Sequence, residues 1–557
     1  MNDTLAALGE KYFEAKHRYD PFNATLLGLT EFDGLLGSPT AETSDAARAV
    51  FASVREQAEK VDPSTLDAVD AVDREVLIAL ARGAETDAQH SLWAANISGK
   101  GYVSRQGTLL QALAATTVTE ESGAQQYLDR LAALPEYLGQ LGERYRQEIA
   151  SGRTPAAVGV RNAAQQLRSE AAGGSDGTLL RPVSSPAGEP WRGRAEALAA
   201  EVFPALEELA VLLDREAAPV ARPDEKAGVC WMKGGEEAYA DELAKHTTTD
   251  LSAERVHELG WEALRELDQL WSDIGNQAFG ITDRAAIQER LRSDPQLRAT
   301  SRQQLVDIAE GALRRAEEAL PRYFPTDFPV GPCDIVELTA AESANSAMAY
   351  YRPPAADGSR NGAQCLATAD PTSRYRYEYE ALSFHESVPG HHLQLATSQL
   401  LDVPRYRRHL DAEVCGFNEG WGLYTEQLAD ELGLYSDVFA RLGRLSFQAL
   451  RACRMVVDTG MHAMGWSRQR AIDLMFEYTA TTLDHVVHEV DRYIAWPGQC
   501  CAYGVGKREI LRMRAHAQQE LGTAFDLPGF HWAVISNGAV PVSVASAAVG
   551  QWIASRR

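Results

Sequence analysis

Apolar residues recur along most of the chain at intervals of three and four, the period of a helix that buries one face. Between residue 1 and about residue 150 such stretches alternate with polar breaks. Tyr127, Leu131, Leu134, Leu138 and Leu141 fall on one stripe, with Pro135 inside it as a point where the helix kinks or divides. The stripe reads as the core face of a helical bundle. A later block carries its own start signal: Ser301 and Gln304 fit a capping box ahead of Leu305, Ile308, Ala312, Ala316 and Leu320, and Pro321 ends it. Residues 172–190 are rich in Gly, Ser and Pro and read as a long loop. That loop marks an expected boundary between an N-terminal helical lobe, 1–185, and a second region, 186–557. Strand signals are sparse, the best at 334–338 with a weaker partner at 362–368. The pattern predicts a mainly α protein with one small sheet.

Composition narrows the classes. In 557 residues, 45% hydrophobic and 24% charged content is ordinary for a globular protein and excludes disordered and collagen-like chains. A net charge of −24 argues against nucleic-acid binding, which needs concentrated Lys and Arg. Seven scattered cysteines without a C-x-x-C pair indicate neither a disulfide framework nor a cysteine zinc site. With no secretory signal and no apolar run of membrane-spanning length, the expectation is a cytoplasmic protein that does not engage a membrane. There is no G-x-S-x-G elbow or P-loop, and Gly504-Val505-Gly506 lacks the third glycine of a dinucleotide fingerprint.

The chemistry is concentrated in Phe384-His385-Glu386-Ser387-Val388-Pro389-Gly390-His391-His392. In the zinc-peptidase motif H-E-x-x-H, two His four residues apart lie about 40° apart on a helix and share one metal, with Glu beside it as base. Here His391 follows His385 by six positions, about 240° and 9 Å on a straight helix, too far for a shared ion. Pro389 cannot donate the helical hydrogen bond and Gly390 accepts unusual dihedrals, so a two-residue bulge is expected that returns His391 to the face of His385. His392 is the alternative second ligand; a helical wheel favours it, but about 10.5 Å of rise separates it from His385. The competing reading is a kinked helix with polar residues at an exposed end.

A second segment, Asn418-Glu419-Gly420-Trp421-Gly422, resembles the one that supplies the third ligand in glutamate-type zincins. Four further stretches accompany it: Tyr350-Tyr351 with Asp357-Gly358-Ser359-Arg360; Val457-Asp458-Thr459-Gly460-Met461-His462; Arg492-Tyr493 through Gly498-Gln499; and Phe530-His531 with Gly538-Ala539-Val540-Pro541. Together these resemble the bacterial family known as domain of unknown function 885. That family in turn is similar to helical zincin peptidases of the angiotensin-converting-enzyme, oligopeptidase and carboxypeptidase branches.

The resemblance implies a large helical zincin-like fold, two lobes around a deep cleft, with the small sheet near the metal and 362–368 as the strand whose edge takes an extended peptide. It implies one zinc per chain on His385, His391 and Glu419, with a fourth position open to water. Glu386 is then the general base. Tyr503 and Tyr493 are the candidate oxyanion donors. Arg454, Asp458 and His462 fall at i, i+4 and i+8, either as an ion-pair ladder or with His462 lining the cleft and Asp458 fixing its tautomer. The expected function is a zinc metallopeptidase acting on oligopeptides or chain ends. The alternatives are a metal-dependent hydrolase of a small non-peptide amide, or a metal-free helical binding protein.

Overall fold

The computed structural model describes residues 2–100, 103–174, 177–325, 330–339, 348–354 and 360–557. At 74% helix and 3% strand the chain is mainly α, as the apolar period predicts, so helix faces supply the core. It divides into two compact units, one of residues 1–242, 460–471 and 488–497, the other of residues 243–459, 472–487 and 498–557.

In the first unit the helix Glu121–Ala150 buries Tyr127, Leu131, Leu134, Leu138 and Leu141. It runs unbroken through Pro135, so the expected division is absent. The reason is burial on both sides of the proline, which holds the helix although one backbone hydrogen bond is lost. The stripe packs against the helices Ala157–Gly173 and Arg192–Leu212, and Leu179, Leu180 and Val183 join the same core. That packing carries the first unit past residue 185 to Glu242, so 172–190 is not its end.

In the second unit Ser301 caps the helix Arg302–Ala319, its hydroxyl accepting from the Gln304 N–H at 3.1 Å, while the Gln304 side chain accepts from the Thr300 N–H at 2.8 Å. The sheet has three strands, β1 (Cys333–Glu337), β2 (Ala349–Arg352) and β3 (Gly362–Leu366), in the order β1-β3-β2. β1 runs parallel to β3, pairing Cys333 with Gly362, and β2 runs antiparallel, pairing Ala349 with Leu366. Both strands read from the sequence are present, but β3 is the central one and all five of its residues are buried. It therefore offers no free edge; β2, which sequence alternation did not reveal, covers that side. From β3 the Gln364 amide donates to Ser383 Oγ at 3.1 Å, and the Tyr379 hydroxyl donates to the Ala367 carbonyl at 2.9 Å. The sheet thus braces the helix Tyr379–Glu386, which carries His385.

The helices Cys415–Glu431 and Cys501–Leu521 touch backbone to backbone. A Cβ on Gly506 would lie 1.7 Å from the Gly416 carbonyl oxygen. Gly506→Ala should therefore separate the helices and cost about 1–3 kcal/mol or more. Gly139→Ala, in an exposed helical position with nothing within 4 Å of the added carbon, should stabilise by about 0.5–1 kcal/mol. Urea midpoints of the two variants check this; equal shifts in the same direction would contradict the packing.

Candidate metal centre

The helix Tyr379–Glu386 ends where the sequence pattern breaks, and a second helix, His391–Leu400, begins after a turn that contains a cis Val388–Pro389 peptide. The expected bulge within one helix is thus a junction between two. Proline removes a donor, and Gly390 lies so close to the end of the first helix that a Cβ on it would meet the His385 carbonyl oxygen at 1.8 Å. The Trp421 indole N–H pins the turn by donating to the Pro389 carbonyl at 3.0 Å. The His385 and His391 rings end 4.8 Å apart, centroid to centroid, and perpendicular.

His392 turns away. Its Nε2 donates to the Gly331 carbonyl at 2.8 Å, and its Nδ1 accepts from the Tyr351 hydroxyl at 3.1 Å. Burial pushes its pKa down, which keeps this tautomer neutral.

Glu419 completes the set. Its Oε2 lies 3.3 Å from His385 Nε2 and 3.5 Å from His391 Nε2. A tetrahedral zinc with bonds of about 2.0–2.1 Å spaces its ligand atoms about 3.3 Å apart, which both glutamate–histidine separations match, and the three ligand atoms all lie within 4.8 Å of one another. His391 Nδ1 is buried without a hydrogen-bond partner, which leaves Nε2 to fix that ring's role. On the other side of His385, Glu426 Oε1 accepts from Nδ1 at 2.9 Å, the carboxylate-imidazole pairing that orients a metal-binding ring. Arg451 lies 3.6 Å from the same oxygen and offsets its buried charge.

The carboxylates favour positive charge on both rings. Burial disfavours charge on His385, but the hydrogen bonds to Glu419 and Glu426 outweigh it and push that ring up to about 9. Burial likewise opposes, and Glu419 reverses, the shift of His391, which is raised. Glu419, despite its own burial, is held well below the usual carboxylate range by the two rings. Glu386, buried at the end of its helix, adds negative charge felt by both histidines.

Tyr503 stands at this set, its ring 6.5 Å from that of His385 and near parallel at 20°, with the Arg454 guanidinium 4.4 Å from its centroid. Tyr493 and His462 belong to the first unit, where they pair with each other: His462 Nε2 donates to the Tyr493 carbonyl at 3.1 Å. His462 Nδ1 accepts from the Val229 N–H at 3.1 Å, so both of its ring nitrogens are used by backbone. The Tyr493 hydroxyl donates to Glu489 at 2.6 Å. Asp357, Gly358 and Ser359 lie outside the described residues. Sequence reasoning missed Glu426. Its signal was spacing, since it follows Glu419 by seven residues and returns to the same helix face.

A mainly helical protein with two histidines and a glutamate gathered at one buried point is the class these observations define. The sequence pattern of the family described as bacterial protein of unknown function (DUF885) matches residues 21–549, and the chain belongs to that family. A crystal structure titled "putative lipoprotein" from Colwellia psychrerythraea is similar over 99% of both chains, with 25% identity and a TM-score of 0.90. Another "putative lipoprotein of unknown function", from Shewanella oneidensis, covers 98% of this chain and 99% of its own at 17% identity and a TM-score of 0.76, a likeness of fold. Among curated proteins, none matches the chain.

His391→Ala should lower bound zinc by one equivalent and His392→Ala should leave it unchanged, read by elemental analysis; the reverse pattern would reassign the second ligand. Because an entering ion must displace protons held on His385 up to about 9, zinc affinity should rise with pH and level off near that value. Competition with a chelator between pH 6 and pH 10, corrected for the chelator's own protonation, measures the slope; a flat response contradicts the charge assignment.

Proposed function

We propose that the chain is a zinc-dependent metallohydrolase of the zincin kind that cleaves peptides. The observation that carries the reading is Glu419 Oε2 between His385 Nε2 and His391 Nε2 at 3.3 and 3.5 Å, with Glu386 adjoining them in the chain. What an ion bound there supplies is Lewis acidity toward a water and a substrate carbonyl. With an ion held by His385, His391 and Glu419, Glu386 would take a proton from the attacking water and pass it to the leaving amine. Glu426 fixes the His385 tautomer from behind. Tyr503, beside His385, donates to the developing oxyanion; Tyr493 is set aside because its hydroxyl is already given to Glu489.

Peptide is favoured over a small amide by the sheet. Among the described residues β2 pairs on one side only, and its Tyr351 bonds His392, the neighbour of a ligand. An extended chain added to that edge would lie next to the metal set. The seven cysteines form no disulfide, and the two structural relatives carry the name lipoprotein.

A peptide-library digest read by mass spectrometry tests this. The zinc-loaded protein should cut peptides, and Glu386→Gln should keep its zinc while losing about 10²–10⁴-fold in turnover. Near-normal turnover of Glu386→Gln would remove the residue from the mechanism. A library left intact by the zinc-loaded parent protein would overturn the peptidase reading.

A further inference from the structure

A second cluster in the same unit has metal-binding chemistry. Asp458, Cys500 and Cys501 are buried, and one ligand atom from each lies within 4.8 Å of the others. Asp458 Oδ1 accepts from the Gly498 N–H at 3.0 Å; Cys500 Sγ lies 3.3 Å from Oδ2 and Cys501 Sγ 3.6 Å from Oδ1. Cys500 Sγ also lies 3.7 Å from the Arg454 carbonyl oxygen.

We infer that Asp458, Cys500 and Cys501 form a second cation site, selective for a thiophilic divalent ion of the zinc and cadmium class. The spacing suits it. A tetrahedral zinc with Zn–S of about 2.3 Å and Zn–O of about 2.0–2.2 Å keeps sulfur and oxygen about 3.6 Å apart, and each sulfur already lies 3.3 or 3.6 Å from one of the two Asp458 carboxylate oxygens, with one ligand atom of each residue within 4.8 Å of the others. The charge suits it as well. Two thiols and one carboxylate carry a single negative charge; when the ion enters, both thiol protons leave to solvent, and two thiolates, one carboxylate and a dication again carry a single negative charge. Filling the site therefore adds no net charge to the interior, and no oxidant or reductant takes part.

The site is independent of the histidine set and of the hydrolase reading. Its position is not remote, however, since Cys501 opens the helix on which Tyr503 is the third residue. A cation there would fix the first turn of that helix through two consecutive side chains and so hold Tyr503 in place.

Cadmium alone is the probe. The unaltered protein should bind two equivalents of Cd2+, one of them with the ultraviolet sulfur-to-cadmium charge-transfer band, while Cys500→Ser/Cys501→Ser should bind one equivalent and lose the band. Cys453→Ser, which changes a buried cysteine outside the cluster, should keep it. A 113Cd spectrum of the unaltered protein should show one resonance in the thiolate range, which keeps the test sound even where the double variant does not fold. Absence of the band and of that resonance, or a band undiminished in the folded double variant, overturns the inference. Failure of the histidine set alone removes only the cadmium that has no thiolate band.

Discussion

His385 is held on both ring nitrogens by carboxylates of one helix, Glu419 on Nε2 and Glu426 on Nδ1. Seven residues separate the two glutamates, two turns and about 10.5 Å, roughly the distance needed for an imidazole to lie between them along the helix surface. The ring can lie there only because position 422 is glycine; a Cβ would stand 2.7 Å from two of its atoms. Glu419-x-x-Gly422-x-x-x-Glu426 is therefore one device. It presents a ring in a fixed tautomer, backs it with one carboxylate, and leaves the other facing the second histidine.

The surrounding structure keeps that helix where the device works. Gly416, Gly420 and Gly506 let the helix Cys501–Leu521 approach to backbone contact from one side. Asn418 accepts from Gln394 at 2.6 Å and donates to the Leu410 carbonyl at 3.2 Å, tying in the second motif helix. Trp421 holds the turn before His391 and packs edge-on against His531. His531 is in turn fixed: Nδ1 donates to the Tyr323 carbonyl at 2.6 Å, Nε2 accepts from the Tyr424 hydroxyl at 2.7 Å, and burial pushes the ring down to about 3, so it stays neutral. The C-terminal Phe530-His531 motif thus acts as a prop under the helix that carries Glu419.

Much of this was legible in the sequence because the decisive features are local. The stripe from Tyr127 to Leu141, the Ser301 cap and the strands near 334 and 362 each follow from spacing within one element. Other features are tertiary. That β3 is central depends on which strand covers it, and that Pro135 leaves its helix whole depends on flanking burial. Glu426 could have been read at i+7, but its importance appears only when His385 arrives from another helix. His462 and Tyr493 stand in motifs as His385 and Glu419 do, yet both ring nitrogens of His462 serve backbone groups and the Tyr493 hydroxyl serves Glu489. Cys500 and Cys501 adjoin in the chain, but only the fold brings Asp458 to them.

The central claim is that one ion sits between His385, His391 and Glu419. Its most direct test is an anomalous difference map collected at the zinc absorption edge from crystals of the zinc-loaded protein at neutral or higher pH. The account predicts a peak about 2.0–2.2 Å from His385 Nε2, His391 Nε2 and a Glu419 carboxylate oxygen, with Glu426 still on the far side of His385. A map with no peak there, or one in which His392 has replaced His391, would contradict it.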